Sequence, residues 1–173
     1  MKRVPGFVIP LALSALATLQ TNAFAAVDMF LKVEGIQGES TDKSHKDEID
    51  VLAWSWQLSQ SKDPANPIVR PIVISKYIDS ASAPLYDLLL SGKQAANAIL
   101  TVRKVGQIPL EYLIITMTNV TVSTASPGGG GSEDRQTENI SLNYSSACFK
   151  YTKQNADGTP GTSTETCWTF GGK

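Results

Sequence analysis

The tightest constraint on the fold is the alternation in Val51 to Ser59, where Leu52, Trp54, Trp56 and Leu58 fall two residues apart. Side chains two apart share one face of an extended chain, whereas a helix would scatter these four around its circumference. Val27 to Val33 repeats the pattern with β-branched and aromatic residues at intervals of two, and Gly35 and Gly38 close it. Strand character returns at Pro71 to Tyr77, Ala98 to Lys104, Glu111 to Ser123, Glu138 to Tyr151 and Thr164 to Phe170, stretches separated by turn residues. One segment has a different period. Asp79 to Pro84 supplies helix-start residues, Leu85, Leu88 and Leu89 follow at helical spacing, and Gly92 stops the run, which predicts a helix over about Ala83 to Ser91. Many short strands and a single helix predict a mainly β fold, a small antiparallel β-barrel or sandwich of two packed sheets.

The segments between are turn-like. Glu39 to Asp50 is charged and turn-rich, Ser61 to Pro71 carries prolines without periodicity and reads as a surface loop, and Gly128 to Gly131 is the one low-complexity tract.

The first residues have the order of an export signal. Positive charge at Lys2 and Arg3 precedes an apolar stretch from about Phe7 to Leu19, then polar Gln20-Thr21-Asn22 and the small-x-small triplet Ala23-Phe24-Ala25. Signal peptidase needs small side chains at the flanking positions of that triplet, so cleavage is expected between Ala25 and Ala26. The apolar run is shorter than the roughly 20 residues that cross a bilayer, and no later stretch is long and apolar enough to do so. Residues 1–25 are therefore read as a removable signal and 26–173 as one domain of periplasmic or secreted protein, with no membrane contact after cleavage. Losing Lys2 and Arg3 takes the 15 basic residues to 13 against 16 acidic ones, a net charge of about −3 that gives nucleic-acid binding no support.

Cys148 and Cys167 are the only cysteines, and in an oxidising compartment an even count points to a bridge. The Asp157-Gly158 turn signal lies midway between them. Strands paired about that turn set Cys148 opposite Cys167, Lys150 opposite Glu165 and Thr152 opposite Ser163. Two separate buried thiols are the other reading of the pair.

The motifs that suggest chemistry are weak. Pro127 to Gly131 is followed by Ser132-Glu133-Asp134, whose carboxylates repel phosphate, and Ser91-Gly92-Lys93 lacks the rest of a phosphate loop; both read as turns. His45, the sole histidine, sits among Asp42, Asp47 and Glu48, a spacing that suits a solvated charged turn better than a metal site. No Gly-x-Ser-x-Gly elbow places a nucleophilic serine. Trp54 and Trp56 could offer a sugar-stacking platform, but the company of Leu52 and Leu58 favours a core face. No catalytic, cofactor-binding or metal residue is assigned, and no cofactor is expected.

Several blocks, in order along the chain, resemble one family. Ala26-Val-Asp-Met-Phe-Leu-Lys32, Gly38-Glu-Ser40, Glu48-Ile-Asp-Val-Leu-Ala-Trp-Ser-Trp56, Ser75-Lys-Tyr-Ile-Asp79, Ser91-Gly-Lys93, Leu100-Thr-Val-Arg-Lys104, Glu111-Tyr-Leu-Ile-Ile115, and Gly130 to Arg135 with Thr137-Glu-Asn139 strongly resemble the hemolysin-coregulated proteins, Hcp, of type VI secretion. The resemblance implies a small β-barrel with one helix that closes into hexameric rings. Those rings stack as the inner tube of the secretion apparatus and carry effector proteins, with no catalytic site.

Three features depart from the family pattern: a short, proline-bearing Lys62 to Arg70 where the family has a glycine- and histidine-rich insertion, the cysteine-bearing terminal hairpin, and the signal. The resemblance implies a non-enzymatic, ring-forming protein, a homohexamer whose rings stack, with type VI components or effectors as candidate partners; the signal and the cysteine pair imply that it acts outside the cytoplasm. The alternative is a periplasmic ligand- or protein-binding barrel module that no longer forms tubes.

Overall fold

The computed structural model describes residues 26–60, 62 and 68–170. The expected signal through Ala25 and most of the Lys62 to Arg70 segment lie outside the described residues. The chain forms strands β1 (Val27–Val33), β2 (Ile49–Asp50), β3 (Ala53–Ser59) and β4 (Ile68–Tyr77), then helix α1 (Ser82–Ser91). Strands β5 (Ala95–Lys104), β6 (Leu110–Gly128), β7 (Thr137–Asn143), β8 (Ser146–Gln154) and β9 (Pro160–Thr169) follow. Every pairing is antiparallel.

The long strand β6 organises the whole molecule. Its first part pairs with β5 and β8, and its last part, from Thr121, pairs with β7. Strands β7 and β8 run beside β6 as one arm broken at Tyr144 and Ser145, opposite Asn119, which takes a left-handed φ of 51°. At this bend the sheet divides into one leaf ordered β2-β1-β5-β6-β8-β9 and another ordered β6-β7-β4-β3. The expected single strand from Glu138 to Tyr151 is thus two strands in nearly one register, because the arm must turn from one leaf to the other. The chain crosses between leaves again at Val51 and Leu52, whose N–H groups donate to Met29 O on one leaf and Ser75 O on the other.

Inward positions alternate with outward ones, so Leu31 and Val33, Ile72 and Ile74, Leu100 and Val102, Ile115 and Met117, and Ile140 and Leu142 fill the space between the leaves. Helix α1 adds Leu85 to that core. It ends at Gly92, whose φ of 66° is a left-handed conformation open to glycine at little steric cost. Gly38 answers a different need: a Cβ there would lie 2.3 Å from Glu48 O, where the loop from β1 to β2 closes on itself.

Strand β4 begins at Ile68, within the stretch expected to be loop. Trp56 pairs with Ile72 and Leu58 with Val69, so Arg70 and Pro71 together face Gln57 in a bulge. Proline lacks the N–H that regular pairing requires, and a bulge is where a strand tolerates it.

Candidate functional surfaces

Three side-chain clusters finish the barrel. The first pins the 39–48 loop over the outer face of β1 and β5. Arg103 on β5 donates from Nη1 and Nη2 to Asp42 at 3.0 and 2.6 Å, and from Nη2 to Asp28 at 2.7 Å. Those bonds hold the Asp42 carboxyl well below the usual carboxylate range, helped by the Ser44 N–H. His45 is only 6% exposed, stacked on Phe30 with ring centres 4.1 Å apart. Its Nδ1 lies 2.9 Å from Glu48 and its Nε2 3.2 Å from Glu111. The expectation of a solvated turn is therefore corrected: Phe30 points outward from β1, and the loop folds down to cover it. The two ring nitrogens face different carboxylates, so these groups do not converge on one metal position.

The second cluster joins α1 to the barrel. Lys76 and Glu138 occupy inward positions opposite each other on β4 and β7, both fully buried. Lys76 Nζ donates to Glu138 at 2.6 Å, Asp79 at 2.7 Å, the Tyr77 carbonyl at 2.7 Å and Ser82 at 3.1 Å. Ser82 and Tyr86 of α1 donate their hydroxyls to Glu138. Burial by itself would raise the Glu138 pKa, but the bonds from Lys76, Ser82 and Tyr86 outweigh it and hold the carboxyl below its ordinary value. Burial and the Glu138 acceptor push the Tyr86 phenol up to about 12. Sequence reasoning missed this pair. The available signal was a charged residue at an inward position of each alternation, Ile72-Ile74-Lys76 and Glu138-Ile140-Leu142.

The third cluster is aromatic and lies where β3 and β9 approach. Trp56 meets Tyr144, Phe149 and Trp168 with ring centres between 6.2 and 6.4 Å, and Tyr144 meets Phe170 at 5.7 Å. Tyr144 Oη donates to Arg70 O at 3.2 Å, tying the bend to the β4 bulge. Burial raises the Tyr144 phenol to about 12. Trp54 and Trp56 are half-buried against the core, as a core face requires. Leu52 and Leu58 are not: Leu58 is 52% exposed, because β3 is the edge of its leaf and its end overhangs. A shallow groove of about 280 Å³ lined by Leu58, Ile68, Val69, Trp168 and Phe170 lies there.

Strand β9 pairs with β8 in the register expected from the turn, with Cys148 opposite Cys167, Lys150 opposite Glu165 and Thr152 opposite Ser163. The two sulfurs lie 2.07 Å apart. Register places Lys32, Ile99, Thr116, Cys148 and Cys167 in one row on the outer face of the leaf. The Lys32 end of that row opens into a groove of about 1010 Å³ walled by Gly35 to Gly38, Lys46 to Glu48 and Pro84. The Gly128 to Gly131 tract and Ser91-Gly92-Lys93 fall at the β6–β7 turn and the end of α1. Among the described residues, no helix is long and apolar enough to cross a membrane.

Comparison with known proteins gives a consistent result. Residues 30–151 match the family described as "Type VI secretion system effector, Hcp". Protein hcp1 of Pseudomonas aeruginosa is 46% identical over 142 residues, covering 77% of this chain and 88% of that protein. The crystal structure of Hcp1 from Salmonella typhimurium is similar with a TM-score of 0.73 and 36% identity, covering 85% of this chain and 96% of the other. A type VI secretion system effector from Yersinia pestis superposes with a TM-score of 0.70 at 32% identity, over 82% of this chain and 99% of its own.

Proposed function

Because the chain belongs to the Hcp family of type VI secretion, we propose that it is a ring-forming protein related to the inner-tube subunit, exported and acting by self-assembly and protein contact rather than by catalysis. The observation that carries this reading is the extent of the likeness: Protein hcp1 is nearly half identical over most of both chains, and the fold likeness reaches almost the full length of the Salmonella protein. A hexameric ring with some stacking is the expected assembly. A head-to-tail contact repeated around an axis closes when its rotation divides the circle and otherwise grows into fibres. Type VI components or effector proteins are the partners this reading supplies. The half-burial of Trp54 and Trp56 against the core speaks against a sugar-stacking platform.

Export is part of the same proposal. Cleavage between Ala25 and Ala26 leaves β1 whole, and the Ala26 carbonyl accepts from Val105 N–H at 2.9 Å, so a chain starting there keeps its first contact with β5. Secreted material is expected to begin at Ala26 by N-terminal sequencing; membrane-retained protein beginning at Met1 would refute this. Light scattering and electron microscopy of protein starting at Ala26 test assembly. Closed rings are expected, and a strict monomer at tens of micromolar would overturn the assembly reading.

A further inference from the structure

We propose that Cys148 and Cys167 form a redox clasp that decides whether β9 stays on the barrel. Strand β9 is the edge of its leaf, pairs with β8 alone, and is exposed along nearly its whole length on both faces. A strand that buries so little opens locally at low free energy, since few apolar contacts oppose its departure. A hydrogen bond between the Thr152 and Ser163 hydroxyls at 2.8 Å joins it to β8 nearer the turn, and two side-chain attachments hold its far end. On the inner face Trp168, 40% exposed, packs edge-on to Trp56; on the outer face Cys167 meets Cys148.

The pair is placed to act as a clasp. It sits near the open end of the hairpin, far from the turn in which Gly158 takes a φ of 87°, so bonding closes a ring around nearly the whole of β9. With the bond made, β9 cannot move away from β8 by more than the slack of that ring. With it broken, the ladder, the Thr152–Ser163 bond nearer the turn and the Trp168 contact remain, and the far end of β9 has the Trp168 contact as its side-chain hold. Cys167 is exposed and Cys148 half-buried, so a small thiol or disulfide reagent can reach the pair. In the oxidising step the two thiols lose two protons and two electrons as the Sγ–Sγ bond forms. A low-molecular-weight disulfide accepts them, its own S–S bond breaking to give two thiols. A chain met by such oxidants only after export would keep β9 free in the cytoplasm and fix it outside.

The test compares exported protein treated with oxidised glutathione against the same protein treated with a phosphine reductant. Under limited proteolysis read by mass spectrometry, cleavage within residues 155–169 is expected to rise at least about tenfold on reduction, because such cleavage tracks the open population. Residues 26–154 should survive, and reoxidation should restore protection. The double variant Cys148→Ser with Cys167→Ser should behave as the reduced protein in both buffers. Equal cleavage in both redox states, or cleavage spread through residues 26–154 on reduction, would overturn the clasp. Light scattering on the same samples separates the two proposals. Rings in the oxidised sample, with β9 cleavage rising on reduction, support both. Rings in both samples with equal cleavage overturn the clasp and leave the assembly reading standing. A monomer in both samples, with β9 cleavage still set by oxidation, overturns the assembly reading and supports the clasp.

Discussion

The helix end and the β9 edge are both fastened to the same barrel, but by opposite means. At the helix end, two unlike charges are taken fully out of water and held by a set of hydrogen bonds: Lys76 reaches four acceptors, and Glu138 receives donors from β4 and α1. Among the described residues at the β9 edge nothing charged is buried, and the strand is held by a ladder, a hydroxyl pair, one half-exposed indole and the cysteine pair. A buried ionic cluster punishes any partial disruption, since removing one partner strands the other. An exposed edge loses its contacts a few at a time. The first should therefore behave as all or nothing and the second as gradual.

The largest effect should come from Glu138→Ala, which leaves the Lys76 ammonium buried without its main partner. A loss of about 3–5 kcal/mol in denaturant unfolding is expected. Replacing both, with Lys76→Met and Glu138→Leu, should restore most of it, because the uncompensated charge is then absent. A double variant as unstable as the single one would show that the cluster acts through geometry that apolar side chains cannot replace.

Acid sharpens the same contrast. The Glu138 carboxyl titrates in the folded chain below its ordinary value of 4.5, so its contribution is present above that value and lost as pH falls through the folded pKa. Asp42, also held low, adds to the loss in the same direction. Melting temperature should fall on acidification below about pH 4.5. Glu138→Gln should begin lower and fall less steeply, whereas a variant of the β9 edge should keep the wild-type slope.

At that edge, Trp168→Ala removes a half-exposed indole and its edge contact with Trp56, an expected loss of about 1–2 kcal/mol in the same unfolding measurement. A loss as large as that of Glu138→Ala would break the comparison. Smaller still, Gly92→Ala strains the left-handed end of α1 and should cost about 1 kcal/mol, read as a shift in the denaturant midpoint at constant slope.

What the sequence disclosed follows the same division. Local patterns were legible: β1 spans the expected residues, α1 begins one residue before its expected start, and the turn at Asp157-Gly158 set the β8–β9 register. Features that depend on distant partners were not. Pro71 reads as a loop residue until β3 is seen to accommodate it in a bulge. His45 reads as solvated until Phe30 is seen to need a cover. Lys76 and Glu138 stand 62 residues apart, and each looks like an ordinary surface charge until the register sets one against the other. The extension of β6 to Gly128 was hidden for a like reason, since Ser123 to Gly128 is polar and small and becomes a strand because β7 lies beside it. Of the candidate surfaces, the register that sets Cys148 opposite Cys167 was legible from the turn between them and the aromatic cluster only in part, because Tyr144, Phe149 and Trp168 join Trp56 through the fold.

The bend in β6 governs how the molecule comes apart. One continuous strand supplies hydrogen bonds to both leaves, so neither leaf can open completely without disturbing a strand that the other also uses. Unfolding of the barrel is on this account a single event and not two, with the amides from Leu113 to Val122 exchanging with solvent only when the entire chain opens. A chain built this way can bear load across the bend and hand it from one leaf to the other through covalent bonds, while its edges loosen or tighten without disturbing that spine.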